Sequence, residues 1–282
     1  MKFLTVIFLF LSGFVSGQDN SLLYQIKRKD KKVSYLFGTI HIIPDSLYYF
    51  PQKLDKIIAK SDEVILEVSD LYENQNALTE LMTLDSGSCF DIFTPEQKDS
   101  VLQWGAGLLG IKPEQFEKEF EKRKPFILLQ ISFQGMITGK IRLVDMEIEN
   151  KAKHDKIPVT GLETTTYQLS IFDKIPPAEM AGMIMETVRK PEDGRNTFKK
   201  MVQYYHQQDL ENLSKIILES DDLGSYSEEL LNKRNQNWIP KMEALMQNKS
   251  CFFAVGSGHL GGFNGVIQLL RQKGYEVTPV RY

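Results

Sequence analysis

The chain has 282 residues, of which 42% are hydrophobic and 25% charged, which is ordinary for a globular protein long enough to bury a substantial core. Its formal net charge of −3 gives no support to nucleic acid or an anionic membrane surface as a partner. Cys89 and Cys251 are its two cysteines; without CxxC or CxxH spacing a thiol zinc site is not expected, and a disulfide between them is left open.

The N-terminal segment has the pattern of a secretory signal peptide. A short basic start precedes the apolar run FLTVIFLFLSGFVSG, whose small residues predict cleavage near Gly17 or Gln18. A transmembrane anchor is the alternative, but the apolar run has about 14 residues, fewer than the roughly 20 that span a bilayer. We therefore expect a signal peptide over 1–18 and a single domain over 19–282, secreted or periplasmic and without stable membrane insertion.

Strands are predicted first along the chain. Leu22–Arg28 and Val33–Phe37 predict a hairpin, and a helix over about 51–60 leads to a buried strand at Val64–Val68. Apolar runs bounded by Gly, Pro and Asp are typical of interior strands, and the β–α–β order favours a parallel pair covered by the helix. Because ligands collect at the C-terminal ends of such strands, the residues just beyond them are candidates for a site.

Helices are predicted next, over about 72–140. Thr94 has the features of an N-cap with Pro95 at the first helical position, and Pro113 begins another helix. The segment from Pro125 to Met136 is apolar nearly all round, which is typical of a buried helix. This region is therefore interpreted as a first helical insertion.

Sheet character returns at Ile141–Val144, and a charged helix and a strand at Pro158–Leu162 complete a second predicted β–α–β unit. A second helical insertion follows over about 164–248. The chain closes with a strand at Cys251–Val255, a glycine-rich turn, a helix and a last strand. Strands from the start, middle and end of the chain predict an α/β fold with one mixed central sheet.

Two of the four histidines share one local pattern. His41 and His259 each follow an apolar strand and end a Gly-x-x-His sequence. With glycine at ~7% of residues, the chance that two of four histidines have a glycine three residues before them is roughly 3%. A glycine there permits positive φ and a sharp turn, which would present each imidazole at the sheet edge. We expect the two rings to face one pocket; the alternative is two separate core histidines. His154 and His206 lie in polar helical segments and are predicted to be surface residues.

Acidic residues also follow the predicted strands. Glu67 is the sole charged residue of an apolar strand, so it must be paired, metal-bound or protonated. Near two histidines it suits a metal ligand or a general base, and an ion pair with an arginine is the alternative. Glu163 has the same setting, whereas Asp145 could simply cap the following helix. Arg234 could neutralise a carboxylate, hold an oxyanion or be solvated.

The segment GSGHLG, at 256–261, also matches the GxGxxG pattern of dinucleotide-binding proteins. Only one strand follows it, and Glu276 lies near the start of that strand and not at its end. Exported proteins also rarely meet nicotinamide cofactors. A dinucleotide site is therefore not expected, and the HExxH, GxSxG and Walker patterns are absent from the sequence.

Several segments together are similar to the TraB/GumN family: FGTIH with a following ILE, VTGLETTTYQLSIFD, KRNQNW and FFAVGSGHLGGFNGVIQLLRQKGYEVTPV. That family is related to the Tiki-type metalloproteases, whose hallmark is two GxxH motifs and a glutamate. The resemblance implies a fold like that of erythromycin esterase and haem-binding ChaN proteins. It matches His41 and His259 to the GxxH histidines, Glu67 to the strand glutamate, and Glu163 and Arg234 to the GLE and RN segments.

The resemblance further implies metal-dependent peptide hydrolysis. His41, His259 and Glu67 would bind a divalent ion, for which Mn, Co and Zn are all plausible because such donors do not select among them. Glu67 or Glu163 would act as general base, and Arg234 would hold the oxyanion. The expected partner is a peptide or protein substrate. Two alternatives are open: a haem- or ligand-binding protein without turnover, and a metal-free hydrolase of the esterase type.

Overall fold

A mixed six-stranded sheet lies at the centre of the computed structural model, which describes residues 20–69, 75–137, 139–219 and 226–282. The predicted α/β class is confirmed, and the predicted signal peptide lies outside the described residues. The main sheet contains β1 (Leu23–Lys27), β2 (Ser34–Thr39), β4 (Glu63–Leu66), β6 (Val159–Gly161), β7 (Cys251–Gly256) and β8 (Glu276–Pro279). A separate small sheet pairs β3 (Ile42–Pro44) with β5 (Ile141–Leu143).

The strand order in the main sheet is β6-β4-β7-β2-β1-β8. The first four of these strands run parallel, whereas β1 pairs antiparallel with both β2 and β8, so the predicted hairpin forms. β7 lies between β2 and β4. These two strands are parallel, but they are not neighbours, although the sequence suggested that they form a pair. The C-terminal ends of β2, β4 and β7 therefore lie side by side at one edge of the sheet.

The second predicted β–α–β unit is wrong in one respect, because β5 does not join the main sheet. It pairs antiparallel with β3, with Arg142 opposite Ile43. Ile141 is 38% exposed, and Arg142 forms ion pairs with Asp45 and Glu147 at the surface. A strand in the middle of a parallel sheet needs two apolar faces, and β5 does not have them.

The two long segments between the strands are helical, as predicted. The capping residues expected from the sequence lie at the helix ends. Thr94 caps its helix in a reciprocal capping box with Gln97, Pro95 takes the first helical position, and Gly110 ends the helix at a φ of 68°. The α-helices of the described residues are α1 (Gln52–Ile58), α2 (Gln75–Leu81), α3 (Pro95–Leu109), α4 (Pro113–Phe120), α5 (Phe126–Gly135), α6 (Val144–His154), α7 (Thr165–Phe172), α8 (Pro177–Arg189), α9 (Pro191–His206), α10 (Leu210–Leu218), α11 (Lys233–Leu245) and α12 (Val266–Gln272).

Two hydrophobic cores lie on different parts of the chain. The larger one packs the main sheet against α6, α10, α11 and α12, and the smaller one packs α3, α4, α5 and α8 against each other. Cys251 is buried in the larger core and Cys89 in the smaller one, and both are free thiols. The structure therefore contains no disulfide between them. None of the described helices is long and apolar enough to cross a membrane.

Close packing of α3 on α4 gives a first testable prediction. A Cβ at Gly105 would lie 2.2 Å from Cζ of the buried Phe116, whereas a Cβ at Gly107 on the same helix would meet nothing within 4 Å. We expect Gly105→Ala to lower the free energy of unfolding by about 1–3 kcal/mol. The control Gly107→Ala should raise it by roughly 0.5–1 kcal/mol. Urea denaturation followed by circular dichroism measures both; equal effects of the two variants would contradict the packing argument.

Candidate active site

His41 lies two residues beyond the end of β2, in a strained turn. Its φ of 47° is left-handed, which costs a non-glycine residue roughly 1–2 kcal/mol. The backbone N–H of Val144 donates to the carbonyl of His41 at 2.8 Å, which fixes the turn against the start of α6. The imidazole is 56% exposed. The strained backbone therefore holds an accessible ring at the edge of the sheet.

The glycines of the two Gly-x-x-His motifs do not have the role expected from the sequence. Neither Gly38 nor Gly256 has a positive φ; the positive φ is at His41 itself. A Cβ on Gly38 would lie 3.2 Å from Ser257 Cβ, and a Cβ on Gly256 would lie 2.6 Å from His41 Nε2. Each glycine thus makes room for a residue of the other motif, because β2 and β7 are hydrogen-bonded neighbours.

His259 is buried, and a network of hydrogen bonds fixes its tautomer. Asn235 donates its amide N–H to the carbonyl of Asn264 at 2.9 Å, so its side-chain oxygen faces His259 Nδ1 at 2.6 Å. Nδ1 therefore carries the hydrogen and Nε2 is an acceptor. Burial lowers the pKa of His259 to about 3, and the nearby charge of Arg234 adds to the shift. The ring is neutral at physiological pH.

Arg234, near the start of α11, uses every N–H of its guanidinium inside the protein. Nη2 donates to Glu67 at 2.5 Å and to Glu163 at 2.6 Å, and Nε donates to Glu163 at 3.0 Å. Nη1 donates to the carbonyl of Leu230 at 2.8 Å and to His259 Nε2 at 3.0 Å. Leu230 belongs to a π-helical turn, Glu228–Asn232, that precedes α11. Arg234 is therefore a fully paired buried cation and not a solvated one.

Glu67 follows β4 directly and is held by both of its oxygens. Oε2 accepts hydrogen bonds from Arg234 and from Gln168 Nε2 at 3.0 Å. Oε1 accepts the backbone N–H of Gly256 at 2.7 Å. Burial alone raises the pKa of Glu67, but Arg234, together with His41 and the hydrogen bond from Gly256, outweighs it and holds the pKa well below its ordinary value. The carboxylate is ionised.

The two imidazoles converge on Glu67, as the sequence led us to expect. Its Oε1 lies 3.9 Å from Nε2 of His41 and 3.6 Å from Nε2 of His259. These three side chains follow the C-terminal ends of β2, β7 and β4, which the parallel arrangement brings together. The alternative of two separate core histidines is excluded by this geometry.

Asp145 is a member of the site that the sequence indicated only weakly. It lies in the first turn of α6, and its Oδ2 is 2.8 Å from His41 Nδ1 while its Oδ1 accepts the hydroxyl of Thr39 at 3.0 Å. Its side chain does not cap α6. Partial burial by itself lowers the pKa of His41, but Asp145 and Glu67 raise it to about 9. Asp145 thus orients His41 and favours its protonated form.

Glu163 lies behind Arg234 and not beside the histidines. Its oxygens accept hydrogen bonds from Arg234 and from the indole N–H of Trp238 at 3.0 Å. Trp238 also packs against His259, with 4.4 Å between the ring centroids and 41° between the ring planes. The structure therefore places Glu163 as a partner of Arg234.

Two polar residues of the site were not predicted from the sequence. Gln168 hydrogen-bonds Glu67 and Asn235 hydrogen-bonds His259. An isolated Gln or Asn in a helical segment has no sequence pattern that distinguishes it from a surface residue. His154 and His206 are exposed on their helices, as predicted. Within the described part of the chain, no group of three or more His, Cys, Asp or Glu side chains is arranged to hold a metal ion.

The fold and the site together define an α/β protein whose parallel strand ends carry a centre of two histidines, a carboxylate and a buried arginine. The chain belongs to the TraB/PrgY/gumN family, whose model matches residues 22–279. The family resemblance seen in the sequence is thereby confirmed.

Among known proteins, the chain is similar to Tiki metalloproteases. It is 26% identical to Metalloprotease TIKI1 of Danio rerio, over 92% of this chain and 63% of that protein. It is 24% identical to Metalloprotease TIKI2 of Danio rerio, over 94% and 62%, and 24% identical to Metalloprotease TIKI1 of Homo sapiens, over 92% and 61%. The chain thus spans less than two thirds of the length of these relatives. No solved structure matches it.

Proposed function

We propose that this protein is an exported hydrolase that cleaves peptides or proteins with the help of a divalent metal ion. The observation that carries the proposal is the convergence of His41 and His259 on one oxygen of Glu67, within 3.9 Å. Similarity to proteins named metalloproteases supports the metal and the substrate class. The secretory pattern of residues 1–18 supports export.

The chemical types of the donor groups in the site fit a divalent ion. Two imidazoles and a carboxylate suit several first-row metals, and each ring has its Nδ1 held by an oxygen, of Asp145 or of Asn235, as is usual for metal-binding histidines. One contact opposes binding at His259, because its Nε2 lone pair already accepts a hydrogen bond from Arg234. The proposal therefore requires that Arg234 give up this one bond when an ion is held.

Each residue of the site would have its own role in the reaction. A divalent ion would supply Lewis acidity that lowers the pKa of a water molecule toward ~7. Glu67, kept ionised by Arg234 and Gln168, would be the carboxylate ligand of the ion, since its Oε1 faces both imidazoles. Asp145 would keep His41 oriented with Nε2 toward Glu67. Since Glu163 bonds to Arg234 and Trp238, we assign it to positioning the arginine, and Arg234 itself to holding Glu67 and, once released from His259, the oxyanion.

Replacing His41 by Ala tests the proposal directly. Because His41 presents the exposed imidazole, we expect His41→Ala to lower the rate of peptide hydrolysis at least about 100-fold. Its ring is 56% exposed, so the fold should be retained. The variant should also lose bound metal in elemental analysis. His154→Ala, which changes an exposed helical histidine, serves as the control. Equal activity of His41→Ala and the parent protein would end the proposal.

Metal-free hydrolysis is a second candidate, and one observation favours it. The His41–Asp145 pair resembles the base and orienting acid of a hydrolase, while Arg234 blocks the metal-binding nitrogen of His259. In this mechanism His41 would itself take a proton from water. Activity that survives exhaustive chelation would favour this candidate over the metal-dependent one.

The pH dependence also separates the two mechanisms. With a pKa of about 9, only about one hundredth of His41 is neutral at pH 7, so a metal-free rate should rise nearly tenfold per pH unit up to pH ~9. A bound metal ion displaces the proton from a ligating His41, so the metal-dependent rate should reach its plateau at lower pH. Profiles of kcat/KM against pH, with metal and after chelation, measure the difference.

A further inference from the structure

An aromatic pocket of about 90 Å³ lies beside the His41–Asp145 pair. Its deeply buried lining residues are Phe37, Ile43, Leu54 and Val144, each at most 3% exposed. Half-buried aromatic side chains form its walls, and they include Tyr48, Phe50, Tyr205 and Tyr282.

Two of the elements that line the pocket, β2 and α6, also position the His41–Asp145 pair. Val144 immediately precedes Asp145, and its backbone N–H donates to the carbonyl of His41 at 2.8 Å. Phe37 and Thr39 share one face of β2 because side chains alternate along a strand, and the hydroxyl of Thr39 donates to Asp145. The pocket and the pair therefore lie on one face of the sheet.

The wall residue Tyr205 lies close to the pair. Burial raises the pKa of Tyr205 well above its ordinary value, and the charges of Tyr282 and Asp145 add to the shift. Its neighbour Tyr204 is packed against the same core but does not line the pocket. These two residues offer a matched pair of positions on α9.

We propose that this pocket binds an aliphatic side chain of the substrate next to the bond that is cleaved. This inference rests on the proposed function and names the side-chain class that the site would select. Among the described residues that line the pocket there is no Asp, Glu, Lys or Arg, and its polar side chains besides the tyrosines are His206 and Gln208. A Lys side chain would therefore be buried there without a carboxylate partner.

Size selects among apolar side chains. A cavity of roughly 150 Å³ accepts benzene. This pocket, at about 90 Å³, is smaller, so it favours the side chain of Leu, Ile, Val or Met over an aromatic ring. Aromatic walls also give favourable contacts to branched aliphatic groups and to methionine sulfur.

Peptide-library digestion with the full chain is the first test. The parent protein should cleave next to Leu, Ile, Val or Met about tenfold or more faster than next to Phe or Lys. Tyr205→Ala enlarges the pocket and should raise the ratio of Phe to Leu cleavage at least about tenfold. Tyr204→Ala removes the same group outside the pocket and should keep the parent's ratio. A parent without aliphatic preference, or identical ratios in both variants, overturns the inference.

A binding measurement separates failure of the pocket from failure of the hydrolase. Saturation-transfer NMR with N-acetyl-leucinamide, N-acetyl-phenylalaninamide and N-acetyl-lysinamide reports occupancy without turnover. If no peptide is cleaved but N-acetyl-leucinamide binds best, and Tyr205→Ala alone removes that preference, the pocket stands and the hydrolase proposal fails. Equal binding of the three probes to the parent overturns the pocket whatever the hydrolysis result.

Discussion

Replacing Arg234 by Met is expected to lower the free energy of unfolding by about 3–5 kcal/mol, because Glu67 and Glu163 then remain buried without a cation. The methionine fills much of the volume of the arginine stem, so lost packing contributes little to this loss. The hydrogen bond to His259 is also lost, which leaves an unpaired acceptor on a buried ring. Urea denaturation of the variant and the parent at pH 7 measures the change.

A surface arginine provides the control for this experiment. Arg195→Met breaks an exposed ion pair with Glu192 and should change the free energy of unfolding by less than about 1 kcal/mol.

The effect of Arg234→Met on the free energy of unfolding should also depend on pH. In the parent, the lowered pKa of Glu67 contributes stability above its ordinary value of 4.5, which is lost as the pH falls. The difference between Arg234→Met and the parent should therefore shrink at low pH; a difference independent of pH would contradict a charge-based origin.

Replacing Gly256 by Ala is expected to abolish hydrolysis while leaving the protein folded. The added Cβ would lie 2.6 Å from His41 Nε2 and 3.2 Å from Glu67 Oε1, in the space where the imidazole meets the carboxylate. His41 is half exposed and can swing outward, so the fold tolerates the methyl group. Displacing a catalytic group by about 1 Å can cost roughly 100-fold in rate, and we expect at least that loss of kcat/KM.

The same loop contains a matched control for Gly256. A Cβ at Gly258 would meet its nearest atom, Ile217 Cγ2, at 3.5 Å, which is ordinary van der Waals contact. Gly258→Ala should therefore keep the hydrolytic rate of the parent. Thermal unfolding should place both variants within roughly 1 kcal/mol of the parent. Full activity of Gly256→Ala would show that the reaction does not use the space between His41 and Glu67.

Local signals predicted the elements that carry the site. The apolar runs predicted at Val33–Phe37 and Val64–Val68 correspond to β2 and β4. Thr94 with Pro95 begins a helix, as predicted, because apolar runs and capping signals act between residues near each other in the chain. The convergence of His41 and His259 was also predicted, since parallel strands end at a common edge.

Contacts between distant segments could not be predicted in the same way. The insertion of β7 between β2 and β4 follows from pairing across about 200 residues, for which the sequence has no local signal. The polar partners of the site are equally remote: Asp145 is separated from His41 by 104 residues, and Arg234 from Glu67 by 167. Hydrogen bonds of this kind depend on where whole elements pack.

The sequence by itself determined the α/β class and the family, and it predicted that the two Gly-x-x-His histidines meet near Glu67. Only the tertiary structure decided that the motif glycines make room for the opposite motif and that Asp145 holds His41. It also decided that Arg234 occupies the Nε2 lone pair of His259. The physical reason is that strand and cap preferences act over a few residues, whereas steric room and buried charge pairing exist only after remote segments have packed.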